Sequence, residues 1–558
     1  MAAVFTVFLS EAIIGLLVVS LCTGQPFSNV YVTYDPMGKV FSLTKERVSE
    51  WVAHGQFQNA INNTGWAFLK VESNQSYPDT QQAYAAGLAE GYLTEELINL
   101  HWTNTLQGYC PQPYSDFCWR LYFFLDQNLE WMKSQIKLGD NPAVPFWHQV
   151  ELFLYQSAGL ADGMKKQLTA NVINMEIEPF GPFFFQVGGD AEDLESVLGK
   201  SNIERPLGSG SCSALVKLLP NNEDLYVAQD TWGTFQSMLR IIKVYDFPFK
   251  MVDASEESIP GRVQVFSSYP GTLMSGDDYY MLSSGMVSME TTIGNNNPDL
   301  WKYVQPESVL EGIRSVVANR ISKSGDEWAK TFSFINSGTY NNEWMIVDYK
   351  RFSPGAKTLV PGLLTVLDQI PGTIKYADLT DLLASQQYFP SYNVAYFPEI
   401  FNMSGNQAMV EKFGDWFTYS KTPRALIFAR DQQWVYDIKS MTKLMRFNDF
   451  KEDPLAQCNC TPPYSGENAI SARSDLNPAN GTYPFGALGH RQHGGIDMKL
   501  TSSKMFRSLS MVAVGGPTWD ENPPFQWSKS DFVNLSHVGQ PDLWKFSPFL
   551  FNSTTFFR

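Results

Sequence analysis

A chain of 558 residues with 44% apolar, 14% aromatic and only 18% charged side chains can bury a large core, which excludes a disordered or low-complexity protein. A formal net charge of −16 gives no counterion release from a phosphate backbone and argues against nucleic acid as a partner, while suiting a protein of an acidic compartment.

Residues 1–24, MAAVFTVFLSEAIIGLLVVSLCTG, carry an apolar run from Ala12 to Leu21 followed by the small residues Cys22 and Gly24, the pattern of a secretory signal removed before Gln25. No later segment is apolar for long enough to span a bilayer. Seven Asn-x-Ser/Thr triplets, at Asn62, Asn74, Asn402, Asn459, Asn480, Asn534 and Asn552, agree with export as a glycoprotein. Helical patterning is predicted for Thr80–Asn104, Phe117–Ile136 and Pro145–Ala170.

The stretch LGSGSCSALVKLL, residues 207–219, turns abruptly from a Gly/Ser loop into an apolar strand at Cys212. PNNED, Pro220–Asp224, is a turn, and LYVAQDTWG is the returning strand. Pairing Leu219 with Leu225 sets Cys212 opposite Trp232 and Ala214 opposite Asp230, so that Cys212, Asp230 and Trp232 share one face. Further strands are predicted around Gly261–Phe266 and Tyr279–Thr291, helices near Ser308–Phe334, and another strand at Glu343–Tyr349. No internal repeat is present.

Loss of the leader removes Cys22 and leaves five cysteines, so an exported chain keeps an unpaired thiol or an intermolecular bridge. In CPQPYSDFC a Pro-rich turn lets Cys110 meet Cys118. In CNC, Cys458 and Cys460 pair by elimination, the alternative being a metal site with no further ligand at suitable spacing. Cys212 is left over, either as a small buried hydrophobe or as a nucleophile. HRQH, at His490 and His493, adjoins Gly494 and Gly495 and lacks a third ligand, so no metal site is expected.

A thiol that starts a strand, beside a carboxylate, is the arrangement of N-terminal nucleophile hydrolases. The bond before the nucleophile is cut by the nucleophile itself, and the freed α-amino group, with an ordinary pKa of about 7.7–8.0, becomes the general base. The small residues before Cys212 would let its sulfur reach the Ser211 carbonyl, giving a cut between Ser211 and Cys212. Asp230 would orient the Cys212 ammonium, and Trp232 would line the pocket beside Thr231. In NSGTYNNEW, Asn341 or Asn342 offers an uncharged donor to an oxyanion, or simply a turn. Arg473 pairs either with a substrate phosphate or with an acid such as Asp475.

The blocks GSGSCSALVKLLP, NSGTYNNEWMIVDYK, FPSYNVAYF and NAISARSDLNPANGTYPFGALGHRQHGGIDMK resemble those of the phospholipase B-like family, whose members are lysosomal or secreted, and GWAFLKVESN extends the likeness more loosely toward the N-terminus. The resemblance implies an α+β fold, a four-layer αββα sandwich of the N-terminal nucleophile hydrolase type with a largely helical N-terminal part. It implies a signal peptide over 1–24, a chain of 25–211 ending in the Gly/Ser linker, and a catalytic chain of 212–558 that stays associated with it. It also implies removal of fatty acyl chains from glycerophospholipids by Cys212, without a cofactor and with transient contact to a lipid surface. The family often has His before the position of Asp230, where this chain has Gln229. Two other readings stand beside this one: an amidase acting on N-acyl amines or small peptides, and a non-catalytic lysosomal glycoprotein that keeps self-cleavage.

Overall fold

The computed structural model describes residues 26–138, 144–171, 175–201, 206–207 and 210–558. The leader, Gln25 and the linker residues Gly208 and Ser209 lie outside them. Before Cys212 come β1 (Ser28–Asp35), β2 (Val40–Thr44), β3 (Ala53–Ala60), β4 (Trp66–Ser73) and β5 (Thr169–Asn171). From Cys212 follow β6 (Cys212–Leu218), β7 (Leu225–Thr234), β8 (Arg240–Asp246), β9 (Val263–Ser268), β10 (Tyr279–Leu282) and β11 (Met286–Thr292). They are succeeded by β12 (Asn342–Asp348), β13 (Leu364–Ile370), β14 (Thr373–Asp378), β15 (Tyr388–Ser391), β16 (His493–Ser502) and β17 (Ser510–Gly515). β18 (Phe525–Gln526) and β19 (Leu543–Trp544) make a small ribbon, and β20 (Phe549–Asn552) ends the series.

The larger sheet has twelve strands in the order β14-β13-β12-β11-β10-β9-β8-β4-β3-β1-β2-β5; the smaller has six, β15-β6-β7-β16-β17-β20. Val216, Leu218 and Val227 of the smaller sheet pack on Ile242, Val265, Met281 and Met345 of the larger. The outer face of the larger sheet is covered by the helices Asp79–Thr105, Glu311–Ile321 and Gly325–Ser333, through Leu88, Ala318, Trp328 and Phe332. The smaller sheet is covered by Pro423–Asp431 and Ile438–Met445, through Phe428, Met441 and Leu444. The result is helices, sheet, sheet, helices. With both sheet faces buried, β6, β12 and β16 are buried at every position, including the charged residues Lys217, Glu343, Asp497 and Lys499.

The first two predicted helices are found as Asp79–Thr105 and Asp116–Lys137. The third is Val144–Gly163, shorter than the predicted Pro145–Ala170, because Thr169–Asn171 leaves the helix to pair with β2. The N-terminal part is also less purely helical than expected, since it supplies five strands of the larger sheet. β4 pairs in parallel with β8, from Trp66 opposite Arg240 to Glu72 opposite Asp246, so hydrogen bonds join the segments on either side of Cys212. Cys110 is bonded to Cys118 and Cys458 to Cys460, leaving Cys212 free and buried. Of the seven triplet asparagines, Asn74 and Asn552 are half-buried and the other five are exposed.

Two helices of the N-terminal part approach so closely that only glycine fits between them. A Cβ on Gly87 would lie 2.1 Å from the Gln156 carbonyl oxygen, and one on Gly159 would lie 2.1 Å from that of Tyr84. Gly91 and Gly163, one turn on, meet the opposite backbone in the same way. Gly159→Ala should therefore lower the denaturation midpoint, by about 1–3 kcal/mol of stability, as expected for overpacking. Gly188→Ala, where an added Cβ meets nothing within 4 Å, is the control and should leave it near wild type. Equal midpoints for both variants would refute the packing argument.

Candidate active site

The hairpin that presents Cys212 differs from its predicted register by one residue. Leu218, not Leu219, pairs with Leu225, and Cys212 stands opposite Thr231 while Asp230 stands opposite Ser213. The loop is longer than the turn chemistry suggested because Asn221 and Asn222 both adopt positive φ, and the Leu219 N–H closes it on the Asp224 carbonyl at 2.9 Å. A slip of one residue exchanges the faces of a strand. Cys212, Thr231 and Gln229 therefore point between the sheets. Asp230 points into the helix layer, toward Ser471 and Arg446, where burial first and Asp497 second raise its carboxyl well above the ordinary range. The structure thus replaces Asp230 as the predicted partner of Cys212.

Cys212 is 2% exposed and sits in the wall of a cavity of about 300 Å³, together with Ser211, Thr231, Trp232, Tyr269 and Asp277. His101, Phe184 and Phe185 of the N-terminal part complete one side. Below the thiol lies a buried ionic network. The Thr231 hydroxyl donates to Asp277 Oδ2 at 2.6 Å and accepts from Lys499 Nζ at 2.6 Å. Lys499 also reaches Asp497 Oδ1 at 2.7 Å, and Arg240 bridges Asp277 and Asp497, the latter at 2.7 Å. Two cations face two carboxylates, which is the condition for leaving such groups out of water. Burial, then Glu290 and Asp277, push the Cys212 thiol well above its usual pKa against the opposing pull of Lys499 and the Trp232 N–H, which favours the protonated thiol.

The Ser211–Cys212 peptide unit is held from both sides. The Ser211 carbonyl accepts the Trp232 N–H at 2.5 Å. On the other side Asn393 Oδ1 accepts from the Ser211 N–H at 3.1 Å and the Cys212 N–H at 3.5 Å. Asn393, in left-handed backbone at φ 68° just after β15, is itself fixed by Arg424 Nη2 at 2.8 Å and by donating to the Thr292 carbonyl at 2.7 Å. Arg424 Nη1 binds the Cys212 carbonyl at 2.6 Å, and its guanidinium lies 4.3 Å over the Trp232 ring. His101, sandwiched between Phe185 and Tyr269, is kept neutral: burial first, then Arg240, lower its pKa to about 3.

Of the sequence-predicted residues, the structure brings Ser211, Cys212, Thr231 and Trp232 to one cavity. Asn341 and Asn342 stand outside its lining: Asn341 donates to Asp193 and Gly338, both at 3.0 Å, and Asn342 to Glu311 at 3.2 Å, while their neighbour Tyr340 does line it. Arg473 grips Asp475 with two bonds of 2.8 Å and lines a separate cavity. Sequence reasoning missed Asn393, Arg424, Arg240, Asp277, Asp497 and Lys499. One signal was available: Asp497 and Lys499 are charges two apart inside the apolar strand GGIDMKL, hence on one buried face.

The profile of the phospholipase B family matches residues 53–551. A protein of Rattus norvegicus named "Putative phospholipase B-like 2" is 53% identical over 504 residues, 89% of this chain and 86% of its own. Its Homo sapiens counterpart is 53% identical over 502 residues, 89% of this chain and 85% of its own. A Caenorhabditis elegans protein named "Putative phospholipase B-like 1" is 44% identical over 513 residues, 90% of this chain and 88% of its own.

Beside the cavity, burial raises several carboxyls: Asp190 to about 6, Asp278 to about 8, and Glu290 and Glu311 well above the ordinary carboxylate range. Asp368, paired with Glu343, rises to about 7, also through burial. Each such group binds a proton in the folded state that the unfolded chain has released. Its stabilisation is complete below the ordinary carboxylate pKa and is lost as pH rises through the folded value. Glu72 and Glu467, held near 2, contribute stability that is lost only on acidification, below about pH 5. His101 favours the fold increasingly from its folded value up to the ordinary His range, opposing the carboxyls below about pH 6.5. The melting temperature should therefore be higher at pH 5.5 than at pH 8, and Asp278→Asn should shrink the difference. A midpoint that climbs from pH 5.5 to 8 would contradict this.

Proposed function

The chain belongs to the phospholipase B family, and from that premise we propose that it is an acyl hydrolase removing fatty acyl chains from glycerophospholipids, with Cys212 as an N-terminal nucleophile exposed by self-cleavage. The observation that carries this reading is the clamped Ser211–Cys212 unit: carbonyl on the Trp232 N–H, amide nitrogen on Asn393, and the thiol of the same residue in the cavity wall. On this reading the four layers are those of an N-terminal nucleophile hydrolase.

In maturation, Cys212 Sγ attacks the Ser211 carbonyl carbon while the Trp232 N–H stabilises the developing oxyanion. The C–N bond breaks, the nitrogen takes the thiol proton, and a thioester links Ser211 to the sulfur. Water then releases the Ser211 carboxylate and restores the thiol. The new α-amino group stays at Asn393 Oδ1, with its own carbonyl held by Arg424. Its ordinary pKa of about 7.7–8.0 suits a general base. A substrate carbonyl would take the place vacated by Ser211, the acyl group passing to sulfur and the lysophospholipid alcohol leaving with the proton held by the amine. Water completes the cycle. Phe184, Phe185, Met274 and Trp232 offer apolar walls to an acyl chain. The β4–β8 ladder supports continued association of the two chains, and the five exposed triplet asparagines support an exported glycoprotein, secreted or lysosomal.

N-terminal sequencing of the secreted protein should find fragments beginning at Gln25 and Cys212, of 187 (211−25+1) and 347 (558−212+1) residues before any trimming. Cys212→Ala should remain one chain, and unchanged processing in that variant would remove the nucleophile. Asn393→Ala should slow self-cleavage about tenfold, the rate equivalent of one hydrogen bond. Purified enzyme should release fatty acid from phospholipid at acidic pH. Hydrolysis of N-acyl amides alone would favour the amidase reading, and inactivity on both would favour the non-catalytic one.

A further inference from the structure

The helix Asp116–Lys137 turns an aromatic face outward. Among the described residues, Trp119 is 45% and Phe123 55% exposed, although both are large and apolar. Their rings stack on each other at 5.7 Å instead of folding onto the core. Tyr114 meets Trp119 at 5.1 Å, Phe180 meets Tyr114 at 5.3 Å, and Phe184 meets Phe180 at 5.4 Å. Phe184 lines the cavity that holds Cys212. A continuous run of aromatic rings therefore leads from the surface to the wall of the cavity that holds the candidate nucleophile. Two other exposed rings, Trp434 and Tyr436 at 67% and 72%, stand outside the cavity lining among the described residues.

The charges around this face select its partner. Tyr122, beside Trp119, has Glu178 and Asp126 as neighbours. Arg120, exposed on this helix, is turned back onto the Leu198 and Gly199 carbonyls at 2.8 and 3.3 Å. Lys133 is paired with Glu130 at 2.8 Å. Aromatic rings flanked by carboxylates, with the cations Arg120 and Lys133 engaged among the described residues, complement a quaternary ammonium and not an anionic phosphate surface. Tyr and Trp are also the side chains that settle at the boundary of water and hydrocarbon.

We propose that this face, Tyr114, Trp119, Tyr122, Phe123 and Phe180, docks on a choline-headed lipid surface and orients the cavity toward it. Docking stands on the face itself; that it serves lipid delivery to Cys212 rests on the phospholipase reading above. The Cys212→Ala protein, which cannot consume the lipid, should co-sediment with pure phosphatidylcholine vesicles. Trp119→Ser/Phe123→Ser in that background should lower the partition coefficient about tenfold or more, equivalent to losing the burial of at least one ring. Trp434→Ser/Tyr436→Ser should leave it unchanged. In the active protein, the first double variant should lose vesicle hydrolysis to a similar degree. It should keep its hydrolysis of short-chain phosphatidylcholine below the micellar concentration and its wild-type melting temperature. The docking face is overturned if the Cys212→Ala protein ignores these vesicles, if it prefers phosphatidylglycerol vesicles, if the Trp119/Phe123 variant binds as well, or if the Trp434/Tyr436 variant is the one that loses binding. Vesicle binding without hydrolysis of any phospholipid would leave the docking face standing and remove the phospholipase reading.

Discussion

Arg240 and Lys499, set against Asp277 and Asp497, tie the two sheets together at the point where β6 begins. Arg240 starts β8 of the larger sheet, Asp277 lies in the loop ahead of β10, and Asp497 and Lys499 stand on β16 of the smaller sheet. The layer between the sheets is apolar over most of its extent, with Gln229 and the Glu343–Asp368 pair as further polar groups, and an unpaired member of this network would carry a penalty of several kcal/mol. That penalty fixes the relative position of the sheets at this end. Thr231, bonded to both Lys499 and Asp277, passes the constraint to the strand opposite Cys212.

The same network limits what kind of thiol Cys212 is. A lone buried thiol among carboxylates has no reason to ionise, and the balance of two cations against two anions supplies little net field to force it. Attack on Ser211 in the proposed maturation must then draw on orientation more than on thiolate content. Asn393 and Arg424 on one side and the Trp232 N–H on the other hold the peptide unit beside the sulfur, and pre-organised geometry of this sort can replace several kcal/mol of activation entropy.

The sequence was informative where local chemistry decides and silent where the fold decides. β6 and its return strand were legible because apolar runs bounded by Gly/Ser and PNNED leave little choice. The register was not, because it turned on two asparagines adopting positive φ, a choice Asn permits but does not require. β1, with its period-two SNVYVTYD, carried a strand signal that the longer helical patterns after it obscured. Asn393 and Arg424 reach Cys212 across 181 and 212 residues of chain, and no spacing rule connects them. Arg473 took the plainer of its two readings, a salt bridge with Asp475, since a neighbour two residues away requires no ligand.

The N-terminal part is consequently not an accessory to a catalytic chain that begins at Cys212. It contributes β4, whose parallel ladder to β8 lies directly behind Arg240, and it contributes His101, Phe184 and Phe185 to the cavity wall. The glycine-to-backbone contact of its helices Asp79–Thr105 and Val144–Gly163 holds that wall rigidly against the larger sheet, leaving no side chains at the crossing to repack. If the chain is cut at Ser211, nucleophile and pocket wall then belong to different polypeptides. The site would survive only because the β-ladder and the helix crossing, not the severed bond, carry the geometry between them.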